Sequence, residues 1–112
     1  MTNQEFRKEA AKLFDKAEYI NENSGFVSVS LELHHLKGLD NEPFYSLTLR
    51  TEFYRTKDTF LYTSTGSKDT EYTISKMHQI LDAIIEAVKE VIRWNAHQKY
   101  YKRYMSNTHI LQ

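Results

Sequence analysis

Residues 73–104 read TISKMHQILDAIIEAVKEVIRWNAHQKYYKRY. Apolar side chains recur at Ile74, Met77, Ile80, Leu81, Ile84, Ile85, Val88, Val91 and Ile92, the three-and-four spacing of a helix face. Neither Pro nor Gly interrupts the run. With Ala87 and Trp94, these positions cover roughly half of the helix circumference. Gln79, Asp82, Glu86, Lys89, Glu90, Arg93 and His97 take the other half. So wide a stripe exceeds what a two-helix seam needs. It suits a helix laid on a sheet and touched by a second helix, the spine of one small core, with Leu81, Ile84 and Val88 at its centre.

The rest of the chain supplies those partners. Thr2 and Glu5 have capping-box spacing. Phe6, Ala10, Leu13, Phe14 and Ala17 then form one face of a helix expected over about residues 3–19. The cluster Asn21-Glu22-Asn23-Ser24-Gly25 ends it. Residues 26–36 alternate, with Val27, Val29, Leu31 and Leu33 on one side and Ser28, Ser30, Glu32 and His34 on the other. That is a half-buried strand. Lys37 to Pro43 forms a hairpin loop. A second strand over 44–54 sets Tyr45, Leu47, Leu49, Thr51 and Phe53 against Ser46, Thr48, Arg50, Glu52 and Tyr54. Arg55 to Asp58 turns the chain into a third strand over 59–65, with Phe60 and Tyr62 on the buried face and Leu61 outside. Asp69, Thr70 and Thr73 are rival N-caps for a long helix over about 70–105, and the chain from Asn107 onward is expected to fray. The expectation is one α+β domain in α-β-β-β-α order over residues 1–112: a three-stranded antiparallel meander with both helices on one face. Three unclosed strands leave two edges.

This element order is similar to that of the double-stranded-RNA-binding domain. The resemblance covers order alone. Where that family carries a Lys cluster at the start of its second helix, this chain has Lys68 and Lys76 amid Asp69 and Glu71. The Lys37–Pro43 loop also lacks the family's Gly-Pro-x-His. No binding residue is carried over from it.

A chain of 112 residues with 40% hydrophobic and 27% charged side chains has the composition of one globular domain. Fifteen basic residues balance fifteen acidic ones, which excludes a global field for nucleic acid or membrane. The distribution is uneven. Every acid lies at or before Glu90, and Arg93, Lys99, Lys102 and Arg103 follow it, so the tail nets +4 and the remainder −4. With no Cys, disulfides, thiolate zinc sites and thiol catalysis are excluded. The polar N-terminus lacks the apolar core of a secretory signal, and no run reaches the ~20 apolar residues of a membrane span. A soluble, cytoplasmic protein without membrane attachment is expected.

Catalytic motifs are missing: no phosphate-binding Gly loop, no nucleophile elbow and no paired-His zinc motif. Gly25, Gly38 and Gly66 all sit at element boundaries. Glu32 and His34 share a strand face near Arg50 and Glu52, an acid/base set in outline but also the ordinary content of a solvated sheet. His34 and His35 point to opposite faces, and His78 and His97 are far apart on one helix. With His109, these five histidines do not assemble the three or four ligands a metal needs. Neither enzyme activity, nor a metal, nor a cofactor is expected.

What remains is the end of the long helix. A helix of thirty-two residues spans ~48 Å, whereas strands of nine or ten residues span ~30–33 Å, so its last turns overhang the sheet. There the seam Met77, Leu81, Ile84, Val88, Val91 continues into the polar Asn95 and Gln98, as in helix pairs where a polar residue sets register. Trp94, Asn95, Gln98, Lys99, Tyr100, Tyr101, Lys102, Arg103 and Tyr104 are the candidate partner-binding residues. The competing reading has the helix break near Asn95 and the tail fold back. Tyr and Arg are over-represented at protein interfaces, which points to a non-enzymatic protein-interaction module that self-associates as a dimer. A small Cys-free chain of this kind fits an accessory or inhibitory protein, a class that includes phage-encoded inhibitors of host systems. The same cation–aromatic interleaving suits phosphates and stacked bases, which makes a nucleic-acid binder the alternative.

Overall fold

The computed structural model describes the backbone of residues 2–37, 43–64 and 70–110, and the side chains of these except at 3, 35–37, 43–45, 62, 64 and 100–110. The tip of the first hairpin and the candidate cap Asp69 lie outside the described residues. The order is α1 (Asn3–Asn23), β1 (Val27–Lys37), β2 (Pro43–Phe53), β3 (Thr59–Ser64) and α2 (Thr70–Ile110), the α+β arrangement expected.

Helix α1 starts where Thr2 caps it, its hydroxyl accepting from the Glu5 amide at 3.1 Å. Phe6, Ala10, Leu13, Ala17 and Ile20 are buried, whereas Phe14, expected on the same face, is exposed. Ile20 continues the three-and-four spacing after Ala17, and Phe14 is rotated one residue off it. The helix also runs one turn past its expected end at 19. Burial of Ile20 extends the stripe, and the Ser24 amide closes on the Ile20 carbonyl at 2.8 Å. Asn21, expected as a turn residue, instead reaches β1. Its amide accepts from the Val29 N–H at 2.8 Å and donates to the Val29 carbonyl at 2.7 Å.

The three strands form one antiparallel sheet in the order β1-β2-β3. Val27 pairs with Phe53, Leu31 with Leu49 and Thr51 with Phe60. The period-two pattern then puts Val27, Val29, Leu47, Leu49 and Thr51 inside, all buried, while Glu32, Arg50, Glu52 and Leu61 stay exposed on the other face. The β2–β3 turn closes with the Lys57 amide on the Phe53 carbonyl at 2.8 Å. Lys57 takes the left-handed conformation, φ 61°, in place of the Gly that fits there without strain.

Helix α1 covers β1 and part of β2, α2 lies against β3, and the two helices touch each other. They run parallel, since Glu9 meets His78 and Lys16 meets Asp82. Ile74, Met77, Leu81, Ile84 and Val88 of α2 enter the common core. Burial ends there. The helix has 41 residues, about 60 Å at the α-helical rise. It passes Asn95 without a break and continues to Ile110, beyond the expected end near 105 and through Asn107. The radius of gyration, 19.9 Å, is well above the ~13 Å of a compact chain of this length.

Candidate interaction surface

The candidate site is the part of α2 that leaves the core. Val91 and Ile92 are 43% and 42% exposed and Trp94 is 60% exposed, although each continues the apolar spacing of the buried half. Among the described residues none of the core cluster packs against them. Of the predicted partner-binding residues, Trp94, Asn95 and Lys99 are exposed and Gln98 is half-buried on this projection. The side chains of Tyr100, Tyr101, Lys102, Arg103 and Tyr104 lie outside the described residues, on a backbone that is helical. Trp94 lies beside His97, ring centres 6.5 Å apart. Glu86 holds Lys89 at 3.6 Å and Glu90 holds Arg93 at 3.2 Å, so two of the nearby cations already have exposed partners on the same helix.

A second feature adjoins the first. Thr51, Phe53, Phe60, Ile80, Ala83 and Ile84 line an open groove of about 280 Å³ between α2 and the sheet. Phe53 and Phe60 meet edge to face at 6.1 Å and 86°. Phe60 was expected to be buried; its strand position is on the inner face, yet the side chain is 53% exposed. Two helices do not roof three strands: α1 serves β1 and β2, and α2 leaves the outer flank of β3 open. Strand alternation cannot reveal this, because it reports which face a residue is on and not whether that face is covered.

The two sheet edges also differ. At Val29 the edge of β1 is filled by the Asn21 side chain, and the Ser24 hydroxyl accepts from Phe26 and Val27 at 3.2 Å. The corresponding edge of β3 is short, at six residues.

Sequence reasoning missed a polar cluster between the helices. His78 lies between Glu9, 2.8 Å from Nε2, and Lys16, 3.0 Å from Nδ1; Lys16 also pairs with Asp82 at 2.7 Å. An ammonium can only donate, so Nδ1 accepts and the imidazole proton sits on Nε2, directed at Glu9. The Lys12 ammonium and then the His78 ring hold the Glu9 carboxyl below the ordinary carboxylate range. Ser75 lines the same open groove as Glu9 and His78, which brings together the residue types of a hydrolytic triad. Both imidazole nitrogens are engaged, however, leaving none to take a proton from a serine. The cluster is a clasp between α1 and α2. Its signal in the sequence was the shared polar flank of Glu9 and Lys16 on one helix and His78 and Asp82 on the other.

The candidate acid/base set on the sheet does not assemble. Glu32 and His34 contact each other at 3.1 Å, but the register sets Arg50 opposite Ser30 and Glu52 opposite Ser28. Among the described residues no group of three or more His, Asp or Glu gathers as metal ligands, and no helix is long and apolar enough to cross a membrane. Comparison with known protein families, curated proteins and solved structures returned no match.

Proposed function

We propose that this chain is a non-enzymatic protein-interaction module that self-associates, with the projecting half of α2 as its binding element, and that it acts as a small accessory or inhibitory protein. One observation carries the reading: α2 continues about twenty residues, ~30 Å, past Val88, the last of its described residues to be buried, while still presenting Val91, Ile92 and Trp94 to solvent. Most helical stability in proteins comes from packing of an amphipathic face rather than from propensity, and a tryptophan with neighbouring aliphatics suits an interface anchor. Light scattering at micromolar concentration tests self-association; a mass of 13.3 kDa, that of one chain, counts against it. Affinity capture from lysate, with and without nuclease, tests the wider reading, which expects a nuclease-resistant protein partner.

The charge distribution favours a second reading. Four basic residues and no acidic ones follow Glu90, as suits a short phosphate-binding segment. If Lys99, Lys102 and Arg103 each meet a phosphate, log affinity falls with log salt at a slope of about −2 to −3, and replacing all three with Gln flattens it. Under the protein-interface reading the same triple variant matters less than Tyr100→Ala or Tyr101→Ala.

A further inference from the structure

We propose that the α2 face formed by Ile80, Ala83, Ala87, Val91, Trp94 and Gln98 pairs with the same face of a second copy, antiparallel about a twofold axis near Val91. The proposal rests on the self-association reading above and names its geometry. These six positions repeat at three- and four-residue spacing, the seam of a helix pair. The seam is distinct from the buried one through Met77, Leu81 and Val88. It turns away from α1, which holds the opposite flank at His78 and Asp82. It starts in the open groove beside Phe60 and runs onto the projection, where Val91 and Trp94 are exposed.

Three features identify the occupant as another copy. The first is continuity. One end of the seam, Ile80 and Ala83, lies in a groove that lacks a roofing helix, and the other end is a helix that lacks a groove. An antiparallel pair gives each end to the other, and it does so twice, as a twofold interface must. The second is size. With the axis near Val91, Trp94 of each copy falls opposite Ala87 of its partner, a large side chain against a small one. Ala87 is exposed and leaves that space open. The third is charge. Acids end at Glu90 and four cations follow, so a parallel pair sets the two basic ends side by side, whereas an antiparallel pair carries them to opposite ends of the interface. A large aromatic buries about 150–250 Å². Trp94 and Phe60 of both copies are still more than half exposed, and the ~1,200–2,000 Å² of a specific interface requires the flanking aliphatics of both copies as well.

The absence of native Cys makes cross-linking a clean test. Under mild oxidation, Val91→Cys is expected to form a disulfide-linked dimer. Gln98→Cys should not cross-link to itself but should cross-link when mixed with Ala83→Cys, which the antiparallel register brings opposite. Trp94→Ala should keep the circular dichroism of the parent and weaken the dimer roughly tenfold or more. Self-linking of both Val91→Cys and Gln98→Cys means a parallel pair; a dimer untouched by Trp94→Ala with no link at Val91 means another surface, such as the β3 edge. Either result overturns the proposal and leaves self-association standing. A parent protein that stays monomeric in light scattering overturns both.

Discussion

The two halves of α2 carry nearly the same apolar spacing and live in opposite surroundings. From Ile74 to Val88 the core row is closed over by α1 and the sheet; at Val91, Ile92 and Trp94 equivalent side chains face water. The contrast shows that amphipathic periodicity specifies a face and leaves open what covers it. In the first half the chain itself supplies the cover. In the second the same chemistry is left as a surface, and the free energy available from burying it is spent only when something docks.

The largest test of this contrast is truncation in the buried half. Leu81→Ala should lower unfolding free energy by about 2–5 kcal/mol, because the cavity adds to the lost transfer energy; denaturant titration measures it. If Leu81→Ala were no worse than the matching truncation on the projection, the division at Val88 would be wrong. Next comes the clasp that aligns the two helices. His78→Ala removes bonds to Glu9 and Lys16 and is expected to cost about 1–3 kcal/mol, again by denaturant midpoint.

A smaller effect is expected from pH. The Glu9 carboxyl is held below its ordinary range by Lys12 first and His78 second. A carboxyl with a depressed folded-state pKa adds stability that is complete above the unfolded-state value and is lost as pH falls through the folded one. Glu9→Gln should therefore flatten the acid limb of the stability profile and lower stability at neutral pH by less than about 1 kcal/mol, since the carboxylate is partly solvated. Denaturation of parent and variant at neutral pH and near pH 3 measures the difference. The smallest effect belongs to Ile92→Ala on the projection, which should shift stability by about 0.5 kcal/mol or less. A larger loss would mean that the second half of α2 is packed against the chain after all.

Much of the architecture was legible. Alternation in 27–31 and 47–53 assigned the inner face, although Leu33, next in the same pattern, is exposed, and the α2 spacing placed Leu81, Ile84 and Val88 in the core. Thr2 was recognisable as a cap because its job is local: a hydroxyl three residues before the amide it bonds. Three of the misses share a cause, since each depends on a distant segment. Asn21 looked like a turn former, and only the proximity of Val29 makes it a strand-edge partner. Phe60 looked buried, and only the placement of α1 over the other strands exposes it. Glu9 and His78, far apart in sequence, meet because the helices run parallel. The projection itself was foreseen from the mismatch between helix and strand lengths; the groove that adjoins it was not.

A helix clamped at one end and free at the other is also an amplifier of angle. The clamp is the five-residue row from Ile74 to Val88 together with the His78 clasp. Beyond it the shaft extends ~30 Å, so a tilt of about 10° at the clamp carries the tip through roughly 5 Å, about the length of one helical turn. Substitutions in the core that scarcely alter the sheet can therefore move the tip by about the length of one helical turn, and Trp94, ~9 Å past Val88, by about 1.5 Å. The aim of the projection is set by how the other half of its own helix is packed.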